Sequence, residues 1–266
     1  MMKHTGQIRK MRTQLGEEVE YHLPIGEDLI NVNQLIGQEV SLIYQNQIIC
    51  VKCGRETVKS FNQGFCYPCF RDAPEAAEWI VHPEKSTAHL GIEDRDLNYE
   101  QEVQLKPHIV YLSLTSGIKV GVTRGTQVPT RWIDQGAVKA IKLAETPNRY
   151  LAGMIEVSLK DHMADKTNWR KMLMNIYPDI DLIHKKNEAK SLLDKEYHQY
   201  IVEKDVVHEL HFPVTDYPVK VKSIGFDKVP EYKGKLVGIK GQYLLFENGI
   251  VLNIRKHGGY VINLDY

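Results

Sequence analysis

Four cysteines are the residues of this 266-residue chain whose spacing most narrowly limits their chemistry. They run Cys50-x2-Cys53-x12-Cys66-x2-Cys69, and the chain holds no other cysteine. A two-residue spacer lets a tight turn aim both sulfurs at one point, and two such knuckles complete a tetrahedral thiolate site. Gly54 and Gly64 are placed to relieve the turns. With four protein ligands no position is left for a substrate, so the expected site is structural, and zinc is the expected ion. Iron in a rubredoxin-like site uses the same four thiolates and is the rival. Lys52, Arg55, Lys59 and Arg71 surround the knuckles and suit backbone phosphate contact. Phe61, Phe65, Tyr67 and Phe70 suit either base stacking or the small core of such a unit, and the core is the expected use. His82 and His89, with Glu84 between them, are read as polar loop residues rather than as a second metal site.

The elements that must position these residues follow from composition and periodicity. The chain is 42% hydrophobic and 26% charged, the profile of an ordinary globular protein. No run of eighteen apolar residues exists, and the first twenty residues have basic groups but no apolar core behind them. A cytoplasmic location is therefore expected, in keeping with cysteines set out as metal ligands. The formal net charge is zero, yet it divides by segment. Residues 50–71 carry +3, residues 72–102 carry −7, residues 110–175 carry +5 and residues 213–266 carry +3. An acidic connector thus separates basic modules that would suit a phosphate-rich partner.

The expected fold class is α+β in four parts. Residues 1–102 form a β-rich N-terminal segment with the cysteine site and the acidic connector, irregular apart from a short helix near 74–80. Residues 103–178 form an α/β unit, 179–205 a helical linker, and 206–266 a small C-terminal β-barrel or sandwich, which could also join the N-terminal strands. Within the α/β unit, HIVYLSL and IKVGVTR read as strands, and PTRWIDQG as a short helix opened by Pro129. AVKAIKLAE reads as a third strand. The helix NRYLAGMIEVSLKDHM has Leu151, Met154, Ile155, Leu159 and Met163 at helical spacing. TNWRKMLMNIY is the next helix, with Asp165, Thr167 and Asn168 as candidates for its N-cap.

The stretch from His108 to Arg170 resembles the GIY-YIG nuclease superfamily, in the branch whose second motif begins with lysine. The matching positions are Tyr111, Lys119-Val120-Gly121-Val122-Thr123, Arg131 and Glu156, in the family's β-β-α-β-α order. The resemblance covers roughly 70 residues. It implies phosphodiester hydrolysis, with Glu156 holding Mg²⁺ or Mn²⁺ among waters and Arg131 clamping the phosphoryl oxygens. Tyr111 would position or deprotonate the attacking water. Lys119 stands where better-known members have tyrosine, and would bind phosphate or lower the pKa of a neighbouring tyrosine. Arg124 and Arg170 join Lys52, Arg55 and Lys59 as candidate nucleic-acid contacts, and Trp132, Asp134 and Gln135 are placed to line the same cleft. Ala152 and Gly153, one turn before Glu156, would leave room for a ligand. The whole chain also resembles an uncharacterised bacterial domain-of-unknown-function family with a four-cysteine zinc segment.

Three functional classes remain open on the sequence. One is a metal-dependent endonuclease acting on DNA or RNA. The second is a non-catalytic nucleic-acid-binding module, and the third a scaffold in a protein assembly.

Overall fold

The computed structural model describes residues 2–160, 162–163 and 167–266. Strands β1 (Lys3–Gln7), β2 (Arg12–Leu15), β3 (Val19–Ile25), β4 (Asp28–Asn31), β5 (Glu39–Ile49) and β6 (Glu56–Thr57) come first. Helices α1 (Tyr67–Asp72) and α2 (Leu97–Gln104) follow, then β7 (His108–Leu114), β8 (Ile118–Arg124), α3 (Thr130–Asp134) and β9 (Lys139–Thr146). Next are α4 (Arg149–Lys160), α5 (Trp169–Leu173), α6 (Leu182–Leu192) and β10 (Val207–Glu209). The chain then runs through β11 (Lys222–Ile224), β12 (Glu231–Lys240), β13 (Tyr243–Phe246), β14 (Ile250–Asn253) and β15 (Tyr260–Asp265).

These elements form two compact units, one made of 1–71 with 211–266 and the other of 72–210. In the first, an open sheet runs in the order β1-β15-β5-β12-β13-β14-β11, with β6 on β5 and a separate β2-β3-β4 sheet beside it. Strand β5 is flanked on both edges, by β12 and β15, and turns Val40, Leu42 and Ile48 into the core. The expected C-terminal barrel or sandwich does not form as a separate body. Strands 222–265 need β5 and β1 as ladder partners, and the described residues contain no closed barrel. Residues 207–209 leave that set and pair with β9 instead.

The second unit is built on the antiparallel sheet β10-β9-β7-β8. Every residue of β7 is buried, the polar His108 and Ser113 included, as a largely apolar run predicts. Val110, Leu112 and Leu114 alternate into one cluster with Ala152, Ile155 and Leu159 of α4 and with Leu182 and Ala189 around α6. Burying side chains of this size stabilises by about 1.5–3 kcal/mol each. Residues 179–205, expected as a linker, are therefore partly core. Lys186 of α6 is buried too, its ammonium paired with Asp205 at 2.7 Å.

The acidic connector also differs from expectation. It winds through four short 3-10 turns into α2 and belongs to this unit. Trp79, Ala77 and Val103 form a small cluster with Ile80 and Tyr99. Glu100 is fully buried and accepts hydrogen bonds from the N–H groups of Asp94, Arg95 and Asp96 at 3.0, 2.7 and 3.1 Å. Part of the connector's negative charge is thus a loop staple, since a carboxylate answered by three N–H groups can be buried. Among the described residues no helix is long and apolar enough to cross a membrane.

Candidate functional site

The four cysteine sulfurs lie within 4.8 Å of one another, and those of Cys53 and Cys66 are 3.8 Å apart. Zinc–sulfur bonds of about 2.3 Å in a tetrahedron imply an edge of roughly 3.8 Å, so the cluster has the dimensions of a four-thiolate zinc site. The knuckles are tied together by the backbone, since Val51 N–H donates to the Gly64 carbonyl at 2.9 Å. Both Gly54 and Gly64 sit at positive φ, as the turns require. Burial pushes the Cys50 thiol up, but the N–H groups of Cys53, Cys66 and Lys52, with the Cys53 thiol, bring it down to about 6. Burial and the other three thiols push Cys69 up to about 12. Thiolates this close oppose one another's charge, and a divalent cation removes that opposition.

Of the knuckle aromatics, Phe61 and Phe65 are half-buried, whereas Tyr67 and Phe70 are not core. No residue of α1 is buried; Tyr67 is 56% and Phe70 36% exposed. A unit closed by four sulfurs has too few backbone turns to cover its own rings. Lys52, Arg55 and Lys59 are exposed on the same segment.

Within the other unit, Tyr111, Lys119, Arg131 and Glu156 all line one cleft of about 180 Å³, several times the space of one water. They come from β7, β8, α3 and α4 respectively. Ile80, Val81 and Pro83 of the connector form another wall, and Gln135, Arg149 and Lys160 complete the polar lining. Tyr111 pairs across the ladder with Gly121, and its ring lies over that glycine. A Cβ at residue 121 would come within 2.7 Å of the Tyr111 Oη, so only glycine lets the phenol reach the cleft. The Tyr111 hydroxyl donates to Gln135 Oε1 at 3.1 Å, and the Arg131 guanidinium lies near enough to favour the phenolate. Trp132 packs edge-on against the Tyr111 ring with centroids 6.0 Å apart.

Two sequence expectations change here. Trp132 is fully buried as packing for Tyr111, leaving Gln135 as the lining residue of its trio. The space beside Gly153 holds the backbone of Pro83 and Glu84, not a ligand. Burial raises the pKa of Tyr111, Arg131 and Gln135 oppose that rise, and Glu156 adds to it.

Burial likewise pushes the Glu156 carboxyl up. Lys160, Lys119 and Arg149 pull it down, while Glu84 pushes it further up. Glu84 is close enough to act on Glu156, and its Oε2 is buried with no hydrogen-bond partner among the described residues. Its other oxygen lies 3.4 Å from His82 Nδ1, and His89 stacks on Tyr150, so the two histidines do not share a site.

Arg149 is the residue the sequence reading missed. It is 8% exposed and donates to the carbonyls of Trp79 and Ile80 at 3.1 and 2.8 Å, with its guanidinium over the Trp79 ring. Burial brings its pKa down to about 10, which leaves it charged at neutral pH. Residues 149, 156 and 160 share one helical face, a spacing that would have pointed to it. Arg124 ends β8 outside the cleft lining, though near enough to act on Arg149. Arg170 stacks over Trp169 at 4.3 Å and is not in the lining. Asn168 caps α5 through its side chain; Asp165 lies outside the described residues.

Fold and site together define a mixed α/β protein with a four-thiol cluster in one unit and a cationic cleft in the other. The chain belongs to the family described as protein of unknown function (DUF2797), which it matches over residues 37–262. No curated protein and no solved structure matches it.

Proposed function

We propose that the cleft is the active site of a divalent-metal-dependent phosphodiesterase acting on nucleic acid, of the GIY-YIG type, with one structural zinc on Cys50, Cys53, Cys66 and Cys69. The observation that carries the reading is the meeting of Tyr111, Lys119, Arg131 and Glu156 around a single cleft. Its charge agrees: Lys119, Arg131, Arg149 and Lys160 face one lining carboxylate, a balance suited to a phosphodiester anion.

In this reading Arg131 grips the phosphoryl oxygens and Arg149 adds charge from a fixed position, its donors already partly used by two carbonyls. Tyr111 orients Arg131 and Gln135. A buried phenol with a raised pKa is a poor base, so positioning is its role. Water adds to phosphorus, the P–O ester bond breaks, and the departing oxygen is protonated. Glu156 would hold Mg²⁺ or Mn²⁺ with waters, and the unanswered Glu84 oxygen nearby suits a hard cation. When bound, such an ion neutralises charge developing on the leaving oxygen.

The test is cleavage of labelled single-stranded and branched oligonucleotides with Mg²⁺ or Mn²⁺. Glu156→Gln and Arg131→Ala should each lower the rate at least 100-fold. Equal cleavage by wild type and Glu156→Gln would end the reading.

A second reading, a catalytically idle nucleic-acid-binding module, draws support from Lys119 in place of tyrosine and from the fully engaged Tyr111 hydroxyl. It predicts steeply salt-dependent binding without any metal-dependent cleavage.

A further inference from the structure

The exposed rings beside the cysteine cluster have no place in the cleft chemistry. Phe61 stacks on Phe70 with centroids 5.7 Å apart and planes at 19°, and meets Tyr67 edge-on at 5.5 Å. The Lys59 ammonium lies 5.0 Å from the Phe61 centroid. A cluster of aromatic rings left in water is unfavourable unless something covers it. Alongside lies a groove of about 590 Å³, within the usual span of ligand-binding clefts, lined by Lys59, Asn62 and Lys256 among others. Its one carboxylate, Asp227, accepts a hydrogen bond from the Tyr260 hydroxyl at 2.8 Å.

The platform is held rigidly. Ser60 Oγ donates to the Gly258 carbonyl at 3.1 Å, and Phe61 and Phe65 exchange two backbone hydrogen bonds of 2.9 Å. Residues 50–71 carry a net charge of +3. Ring faces for bases, ammonium groups for phosphates and a side-chain amide for base edges are what an unpaired nucleotide requires. A duplex hides its base faces and offers only groove edges and phosphates.

We propose that this face, built on Tyr67, Phe70, Lys59 and Lys256, binds the unpaired nucleotides of single-stranded nucleic acid. The proposal stands independently of the cleft.

Fluorescence anisotropy of the full-length, zinc-loaded chain in Mg²⁺-free buffer tests it, with labelled dT20 and a duplex of equal length. The single strand should bind at least 10-fold more tightly. Tyr67→Ala should weaken dT20 binding about 10-fold with zinc content and circular dichroism unchanged. Tyr67→Leu, which keeps apolar bulk but has no π face, should do the same should the alanine variant fold poorly. The Lys59→Ala/Lys256→Ala double variant should reduce the salt slope by about 1.4. Equal affinity for both nucleic acids, or an unchanged affinity in Tyr67→Leu, overturns the proposal. So does loss of dT20 binding in Glu156→Gln alone, which assigns the binding to the cleft. Binding to phosphatidylserine vesicles that depends on Tyr67, without dT20 binding, overturns it in favour of a lipid surface.

Discussion

Gly153 on α4 sits so close to Glu84 that a Cβ at residue 153 would lie 2.3 Å from the Glu84 backbone nitrogen. The close approach is what brings Pro83 into the cleft wall and sets the Glu84 carboxylate within reach of Glu156. Gly153→Ala therefore has to push the 83–85 turn outward. The expected cost is about 1–3 kcal/mol of unfolding free energy. Urea denaturation checks it, and a variant as stable as wild type would contradict the packing described.

Tyr111→Phe removes the hydroxyl that donates to Gln135 Oε1 beside the Arg131 guanidinium. Stability should fall by about 1 kcal/mol. If cleavage is observed for the wild type, the variant should cleave more slowly while the shape of its pH profile is kept, because a positioning phenol titrates in neither state. A lost basic limb in the profile would instead mark Tyr111 as the proton acceptor.

His108 gives stability an acid-dependent component. Burial brings its pKa down to about 4, even though its Nδ1–H donates to the Lys106 carbonyl at 2.8 Å. The unfolded chain takes up this proton near pH 6.5 and the folded chain only near 4. The stabilisation is thus complete above about 6.5 and lost as pH falls through that window, by up to about 3 kcal/mol. His108→Gln should flatten this part of the curve. The difference between wild type and variant in urea midpoint at pH 7 and pH 5 measures it, since acid release of a metal is common to both.

Cys53→Ser takes one thiol from the cluster of four. The purified wild type should carry one equivalent of zinc by elemental analysis and the variant much less. Limited proteolysis should then cut at α1, of which no residue is buried.

The sequence made much of the second unit legible. The largely apolar run HIVYLSL, the strand IKVGVTR after a Thr-Ser-Gly turn and the helical stripe of α4 each announce themselves by local pattern, and the structure has β7, β8 and α4 there. The cysteine knuckles are equally local. What stayed hidden depends on distant partners. Glu100 looks like any surface glutamate until three N–H groups converge on it, and Arg149 looks like a helix-start residue until the Trp79 and Ile80 carbonyls reach it from the connector. The same holds for strands 231–265, whose apolar pattern fits a separate barrel as well as it fits the edges of β5. The exposure of Tyr67 and Phe70 was unreadable because aromatic identity does not reveal whether anything remains to cover the ring.

Strand β5 has a consequence for biosynthesis. Apart from the two-residue β6 at its end, its ladder partners β12 and β15 lie beyond residue 230, so after Ile49 leaves the ribosome most of its edge length must wait for the whole of residues 72–210 and more. At ~5–20 residues per second the delay is on the order of ten to a few tens of seconds. Throughout it an eleven-residue strand bearing Val40, Leu42 and Ile48 is available to any nascent neighbour. Translation speed and chaperone occupancy, more than final stability, should set how much of this protein a cell recovers in folded form.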